Sequence, residues 1–464
     1  MNNLFARRDM LKMLGAGLGT LGLANVLGGE DAPKAASGRI DPLAPKPGHF
    51  KPRAKRLIHL FMNGGPSQVD TFDPKPALTK YAGQRPPGAN LNTERRTFNL
   101  FPSPFAFKKR GKSGIEISDL FPKVSECADD LCVIRSMHTD IPNHEPGLLM
   151  MCSGSSLPIR PAYGSWLLYG LGSENRNLPG FVVLCPGRPA VVGPQLWGNS
   201  FLPGIYQGCH VVNKDLKPSN VIPHLNNPAL PPAAQREQLD LLQAMNEQHL
   251  AARVGDPALE ARIQSMEMAF RMQVEAQDVF DVSKESQATR DMYGKGDFND
   301  GCILARRLVE RGVRVVQLYY DAKENWDSHE STEHHAGCAR RVDQPIAALL
   351  KDLKSRGLLE DTLVLWGGEF GRTPTAEGQS TGRDHNHYGF SVWLAGGGVK
   401  GGMTYGATDE FGFTAVENRM HVHDLHATML HLMGLDHEKL TYRYSGRDFR
   451  LTDVQGKVAH AIIA

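Results

Sequence analysis

The sequence lacks the features that define several common classes of protein. It has seven cysteines in 464 residues and no Cys-x-x-Cys pair, so neither a disulfide framework nor a cysteine-based zinc site is expected. The formal net charge is only +2, and residues 1–36 carry four basic and three acidic residues, which leaves +1 for the rest. With no basic field and no long run of like charge, binding to nucleic acid is not expected.

Motifs for serine catalysis and nucleotide binding are also missing. No predicted strand runs into a Gly-x-Ser-x-Gly nucleophile elbow, and no Walker A sequence occurs. No predicted strand–Gly-x-Gly-x-x-Gly–helix unit is present either. The sequence therefore predicts neither a serine triad nor a nucleotide cofactor.

The N-terminus contains an apolar run that is too short to cross a bilayer. Met13–Gly28 is uncharged and rich in glycine, and its 16 residues are fewer than the ~20 that a spanning helix needs. The paired arginines Arg7 and Arg8 precede it, and small residues follow at 32–36. This pattern predicts a twin-arginine signal peptide over residues 1–36 and hence a periplasmic or otherwise exported protein. Retention as an uncleaved membrane anchor is the alternative.

The remaining chain alternates between apolar runs and helical patterns. Residues 37–55, rich in proline and lysine, predict a linker, and residues 56–464 predict one domain with a helical insertion at about 233–282. Buried strands are predicted at 56–62, 131–134, 181–184, 190–192, 313–320, 362–366 and 391–395. We therefore predict an α/β fold, a large mostly parallel sheet with helices on both faces.

Polar side chains follow four of these strands. The clusters lie at 63–73, 135–145, 321–335 and 366–390, and the last carries carboxylate, imidazole and guanidinium groups. Because open α/β sheets bind ligands beyond the carboxyl ends of their strands, we expect the clusters to meet in one site. The candidate metal ligands are Asn63 (or Asp70), Asp327, His329, Glu369, Asp384, His385 and His387.

Oxygen and nitrogen ligands of this kind suit one or two divalent ions, Zn²⁺, Mn²⁺, Ca²⁺ or Fe²⁺. A pair of ions can activate a nucleophile while holding a phosphoryl or sulfuryl oxyanion. Arg372, Arg383 and Arg135 are candidates to bind the same anion. The four histidines at 421–431 are more simply explained as surface or capping groups of a helix.

Five stretches together resemble one exported bacterial family. They are LFMNGGPSQVDTFDPKP at 60–76, NHEPGLLMMCSG at 143–154, LWGGEFGRTP at 365–374, GRDHNHYGF at 382–390 and HDLHATMLHLMGLDHEKL at 423–440. With the twin-arginine start they resemble the family of domain of unknown function 1501 over nearly the whole mature chain. That family is similar to the alkaline phosphatase and sulfatase superfamily. The resemblance implies an alkaline phosphatase-like α/β fold with metals at strand ends and hydrolysis of phosphate or sulfate esters.

The chain departs from the superfamily pattern at three positions. Asn63 stands where the first strand normally ends in a metal-binding Asp, and Glu369-Phe-Gly replaces Asp-His-Gly. His144 stands at the position of the sulfatase nucleophile. The catalytic candidates are then Thr139, His144 and Arg372, with water as a further candidate nucleophile.

Three functions remain open. The chain is a metal-dependent hydrolase acting on an anionic small-molecule or polysaccharide ester, a metal- or anion-binding protein without catalysis, or a subunit that serves a partner protein in the cell envelope.

Overall fold

A computed structural model of the chain describes residues 41–86, 93, 98–186, 191–212, 229–251, 263–264, 266–272, 278–320 and 325–464. The predicted signal peptide at 1–36 and the first part of the predicted linker lie outside these residues. The strands are β1 (Arg56–Phe61), β2 (Phe107–Arg110), β3 (Ile115–Ser118), β4 (Leu131–His138), β5 (Phe181–Cys185), β6 (Cys209–Val212), β7 (Val315–Tyr319), β8 (Thr362–Gly367), β9 (Gly371–Arg372), β10 (His385–Asn386), β11 (Phe390–Ala395), β12 (Met403–Tyr405), β13 (Ala407–Thr408), β14 (Ala415–Glu417), β15 (Met420–His421), β16 (Tyr442–Tyr444) and β17 (Arg447–Phe449).

Nine strands form one large sheet. Their order is β12-β4-β11-β8-β1-β7-β5-β6, and β15 also pairs with β4. All pairings are parallel except those of β11, which runs antiparallel to both β4 and β8. Every residue of β5, β7, β8 and β11 is buried, as expected for strands that are covered on both faces. The predicted α/β class with a mostly parallel sheet is confirmed.

The register of the sheet brings several strand ends together. Phe61, at the end of β1, lies opposite Tyr319 of β7 and Gly367 of β8. Because β11 is antiparallel to both of its neighbours, β4 runs in the same direction as β8 and also ends at this edge. We call this the carboxyl edge of the sheet.

The helices are α1 (Gln68–Thr71), α2 (Pro76–Lys80), α3 (His144–Ser153), α4 (Tyr163–Leu171), α5 (Pro232–Ala251), α6 (Gln287–Tyr293), α7 (Asp297–Glu310), α8 (Thr332–Ser355) and α9 (Val422–Leu432). Helix α5 belongs to the predicted insertion at 233–282, parts of which lie outside the described residues. None of the helices described is both long and apolar enough to cross a membrane.

One local prediction is corrected, and one glycine-rich turn is placed. The predicted strand at 190–192 is wrong for Val191 and Val192, which form a turn because Gly193 (φ 66°) and Pro194 start a 3₁₀-helix directly after them. Residues 396–401 have the Gly-x-Gly-x-x-Gly spacing after β11, but they lead into strand β12 and not into a helix. Without a helix N-terminus this turn lacks the anion-binding amides of a dinucleotide site.

Candidate metal centre at the carboxyl edge

Four side chains converge on one point at the carboxyl edge. Asp327 Oδ1 lies 3.2 Å from His144 Nε2, 3.0 Å from His329 Nε2 and 3.4 Å from His385 Nε2. The Nε2 atoms of His329 and His385 are themselves 3.2 Å apart. We call these four residues the His-Asp cluster.

Three separate parts of the fold supply the cluster. His144 is the first residue of α3, which follows β4, while Asp327 and His329 lie between β7 and α8. His385 belongs to β10, which pairs with β9 just beyond the end of β8. The parallel order of β4, β7 and β8 is therefore what brings together residues far apart in sequence.

Each imidazole is oriented through its other ring nitrogen. Nδ1 lies 2.7 Å from Glu369 Oε1 in His144, 2.5 Å from Glu377 Oε2 in His329 and 2.9 Å from the carbonyl oxygen of Pro142 in His385. A carboxylate or a carbonyl oxygen can only accept, so Nδ1 donates in each ring and Nε2 presents its lone pair to the cluster. A carboxylate or carbonyl behind the ring is the arrangement typical of metal-binding histidines.

The spacing of the four atoms fits a small divalent cation. Zinc–nitrogen bonds of about 2.0–2.1 Å require ligand atoms about 3.3 Å apart in a tetrahedron. The four distances measured here run from 3.0 to 3.4 Å. Three lone pairs and a carboxylate at this spacing repel one another unless a cation or protons lie between them.

The pKa shifts of the metal-free cluster also indicate that the cluster favours positive charge. Burial by itself raises the pKa of Asp327, but hydrogen bonds from His144, His329 and His385 hold that pKa well below its ordinary value. Burial lowers the pKa of His144, yet Asp327 and Glu369 together raise it to about 9. In the metal-free protein this shift favours protonation of His144 at the nitrogen that faces Asp327, and metal binding there would release the proton.

Glu369 and Asn63 leave buried acceptors beside the cluster. Glu369 Oε1 accepts from the amide of Gly64 at 2.9 Å and from His144, whereas its Oε2 has no hydrogen-bond partner among the residues that the structure describes. Asn63 Oδ1 is also buried without a partner in this part of the chain. Both residues follow neighbouring strands, β1 and β8, at equivalent positions of the register. Two unsatisfied buried oxygens are a place where a second cation or a water could bind.

Gly64 must be a glycine for the cluster to form. Its φ is +106°, and a Cβ atom there would lie 2.3 Å from the backbone nitrogen of Asp327. The β1 turn therefore passes directly against the segment that carries Asp327, and only a residue without a side chain allows this.

The arginines differ in their surroundings. Arg372 donates to Asp327 Oδ1 at 2.7 Å, and its remaining donors are directed to the carbonyls of Gly64, Gly65 and Arg383. Arg383 forms two hydrogen bonds with buried Asp70, at 2.7 and 3.0 Å. Arg135 donates to the carbonyl of Phe72.

Of the three arginines predicted to bind an anion, then, only Arg372 contacts the cluster. Asp70, named as the alternative to Asn63, is paired with Arg383 away from the four atoms.

The other predicted site residues lie around the cluster. The Asp384 carboxylate lies within 4.8 Å of ligand atoms of His329 and Glu377. His387 does not contact the four atoms of the cluster: burial lowers its pKa to about 4, and its Nδ1 is buried without a partner among the described residues. Thr139 donates its amide to the carbonyl of His387 at 2.9 Å, and its Oγ1 is likewise buried with no partner in the described part of the chain.

Sequence reasoning missed the part played by Glu377. It lies in the polar loop between β9 and β10, and no local pattern marks it as the residue behind His329. The same loop, 378–382, reads Gly-Gln-Ser-Thr-Gly, but Ser380 Oγ donates to the carbonyls of His329 and Glu377 and does not form a nucleophile elbow. The only available signal was position, between two strands that carry candidate ligands.

Comparison with known protein families places the chain in one family. The model of the family described as "Protein of unknown function (DUF1501)" matches residues 54–463, so the chain belongs to this family. No curated protein sequence matches it significantly.

Several solved structures match parts of the chain at low identity. The lipoteichoic acid synthase LtaP from Listeria monocytogenes matches with 8% identity and a TM-score of 0.38, over 89% of this chain and 79% of that one. The PsFucS1 sulfatase from Pseudoalteromonas sp. matches with 13% identity and a TM-score of 0.33, over 82% and 68%. The alkaline phosphatase from the Antarctic bacterium TAB5 matches with 10% identity and a TM-score of 0.30, over 82% and 98%.

Proposed function

We propose that this protein is an exported, metal-dependent hydrolase of phosphate or sulfate esters, with its metal held by the His-Asp cluster. One observation carries the proposal. Three imidazole Nε2 atoms lie 3.0–3.4 Å from one carboxylate oxygen, and the opposite nitrogen of every ring is fixed by an acceptor. A chance cluster of surface histidines would not have all its rings oriented in this way.

His144, His329, His385 and Asp327 would hold the ion. Three imidazoles and one carboxylate favour Zn²⁺, Mn²⁺ or Fe²⁺ over Ca²⁺, which prefers a shell of six to eight oxygens. Glu369 Oε2 and Asn63 Oδ1 would contribute to a second ion if one binds. The four nearby carboxylates, Asp327, Glu369, Glu377 and Asp384, face one guanidinium, so the site is negatively charged until a cation enters.

The chemistry follows from the groups around this point. A bound divalent ion supplies a Lewis acid that polarises an ester oxygen and acidifies water. Arg372 donates at the same point and would stabilise negative charge that develops there. The hydrogen bond between His144 and Glu369 keeps a proton on Nδ1 and fixes the ring.

With His144 serving as a ligand, water or Thr139 is left as the nucleophile. Thr139 Oγ1 is suited to that role only in having no hydrogen-bond partner among the described residues.

The substrate class rests on two supports. Arg372 favours an anion at the cluster once a cation has offset the surrounding carboxylates. The motif resemblance to the alkaline phosphatase and sulfatase superfamily adds phosphate and sulfate esters, of small molecules or of polysaccharides. Export rests on the sequence pattern of residues 1–36.

Metal content and ester turnover test this function together. Purified mature protein is expected to bind at least one equivalent of Zn²⁺, Mn²⁺ or Fe²⁺ and to hydrolyse members of a panel of aryl phosphate and sulfate mono- and diesters. Chelation should abolish turnover. His385→Ala should lose both metal and activity, whereas His387→Ala, two residues away and outside the cluster, should keep its metal. A metal-loaded protein that hydrolyses no ester in the panel would refute the proposed reaction.

A second function is favoured by the number of protein ligands. Four protein ligands without an open position are typical of structural zinc sites, whereas catalytic sites usually keep one position free. On this reading the protein binds metal without catalysis, or serves a partner protein in the cell envelope. Stoichiometric metal without turnover, together with a large loss of stability on chelation, would support this second function.

A further inference from the structure

Asp327 differs from the three imidazoles in how it is held. The side-chain hydrogen bonds of Asp327 use Oδ1, and its other carboxylate oxygen makes no hydrogen bond with any residue that the structure describes. Its side chain is 28% exposed, against 20%, 17% and 3% for His144, His329 and His385. It is thus the most accessible of the four, and it is bound at one atom only.

The groups that surround Asp327 Oδ1 do not depend on Asp327 for their position. The imidazoles are held through Nδ1 by Glu369, Glu377 and the carbonyl of Pro142. Arg372 is held by the carbonyls of Gly64, Gly65 and Arg383. If the carboxylate rotated toward solvent, three nitrogen lone pairs and one guanidinium donor would still define the place of a single anionic oxygen.

We propose that Asp327 is a displaceable ligand, and that an anionic oxygen of the substrate takes the place of its Oδ1 between the metal and Arg372. The proposal rests on the metal centre of the proposed function. The oxyanion takes over the ligand position and the Arg372 hydrogen bond that Asp327 gives up, and the displaced carboxylate turns toward solvent. The ligand class is a small oxyanion or the anionic group of a larger molecule: phosphate, sulfate or carboxylate.

Chemical rescue tests the proposal through metal affinity, without an activity assay. Asp327→Ala is titrated with Co²⁺, and the visible absorption of the bound ion is followed with and without formate, acetate or phosphate. We expect the variant to bind Co²⁺ more weakly than wild type, and formate to restore affinity by about tenfold or more, which corresponds to ~1.4 kcal/mol. His385→Gly is the matched control, since imidazole and not formate should restore its affinity.

Arg372 supplies a second arm. In wild-type protein loaded with Co²⁺, added phosphate or formate should change the absorption spectrum saturably, because the anion displaces Asp327. Arg372→Lys should weaken this anion binding by about tenfold, since lysine cannot donate from the same fixed fork. Thermal melts establish that each variant is folded, and the wild-type titration decides the question if Asp327→Ala does not fold.

The outcomes separate this inference from the proposed function. Wild-type protein that binds no Co²⁺ would overturn the metal centre and the displaceable ligand together. Normal Co²⁺ binding with no response to any anion, in the variant and in the wild type, would overturn only the displaceable ligand. Ester turnover by the wild type would then still decide the proposed reaction.

Discussion

Removing Glu377 should weaken metal binding although Glu377 need not touch the metal. Glu377 Oε2 lies 2.5 Å from His329 Nδ1 and fixes both the orientation of the ring and the nitrogen that carries the proton. In Glu377→Ala the ring is free to rotate, and its Nε2 no longer points steadily to Asp327. Loss of such an outer partner typically weakens metal affinity by about 10–100-fold, or ~1.4–2.7 kcal/mol.

The weaker metal binding should also lower the free energy of unfolding measured in the presence of metal. At a metal concentration 1,000 times the dissociation constant, binding stabilises a folded protein by about 4.1 kcal/mol. If Glu377→Ala binds 10–100-fold more weakly, that gain falls to about 2.7–1.4 kcal/mol at the same metal concentration. Competition with a chelator of known affinity gives the metal dissociation constant. Denaturant unfolding with and without metal gives the stabilisation that the metal provides.

Glu330→Ala is the matched control. Glu330 is the residue after His329, is exposed, and makes no hydrogen bond or ion pair with any described residue. The substitution removes a carboxylate from the segment that carries His329 without touching the imidazole. Equal metal affinity in the two variants would refute the role of Glu377 in orienting the ring of His329. A loss of one bound ion in Glu377→Ala, with the remaining ion bound normally, would instead make Glu377 a ligand.

Three further predictions concern folding. Burial lowers to about 3 the pKa of each of three core histidines, His59, His335 and His426. The unfolded chain protonates them near pH 6.5, so their contribution to the stability of the metal-free protein is complete above that pH and falls by up to about 1.4 kcal/mol per histidine per pH unit toward pH 3. Denaturant midpoints unchanged from pH 6.5 to 5 would contradict this. Gly64→Ala should lower the free energy of unfolding by denaturant about 1–3 kcal/mol more than Gly83→Ala does. Both glycines have positive φ, but only a Cβ at position 64 would lie against Asp327. Equal losses would show that the turn after β1 can move to accommodate the methyl group. Asp70→Ala should destabilise by about 3–5 kcal/mol because it leaves Arg383 buried and unpaired, and a change below 1 kcal/mol would mean that water reaches the guanidinium.

The sheet could be predicted from sequence because its strands are buried on both faces. Such strands are continuous apolar runs, and the predicted strands at 313–320 and 362–366 correspond to β7 and β8 within a few residues. Polar residues that follow parallel strands then meet at one edge. The structure accordingly brings Asp327, His329, Glu369 and His385 into one region.

The orientation of individual side chains could not be predicted in the same way. His385 and His387 are two residues apart and would share one face of a strand, but β10 ends at Asn386, so the alternation stops before His387. The ring of His144 is oriented by Glu369, 225 residues away in the chain. Sequence also cannot show whether an arginine is free, and Arg383 is fully engaged by Asp70 and backbone carbonyls.

The balance of donors and acceptors at the edge argues that this part of the fold is completed by a cation. Asp327, Glu369 and Asn63 present acceptor oxygens, and three imidazoles present lone pairs, while Arg372 is the guanidinium that donates among them. Burying acceptors without donors costs free energy, and the metal-free protein meets this cost by keeping a proton on His144, whose pKa is raised to about 9. A divalent ion would satisfy the same atoms with twice the charge and would release that proton. Metal affinity should therefore rise with pH up to about 9, and the strand ends of β1, β7 and β8 should gain most of the stability that the metal provides.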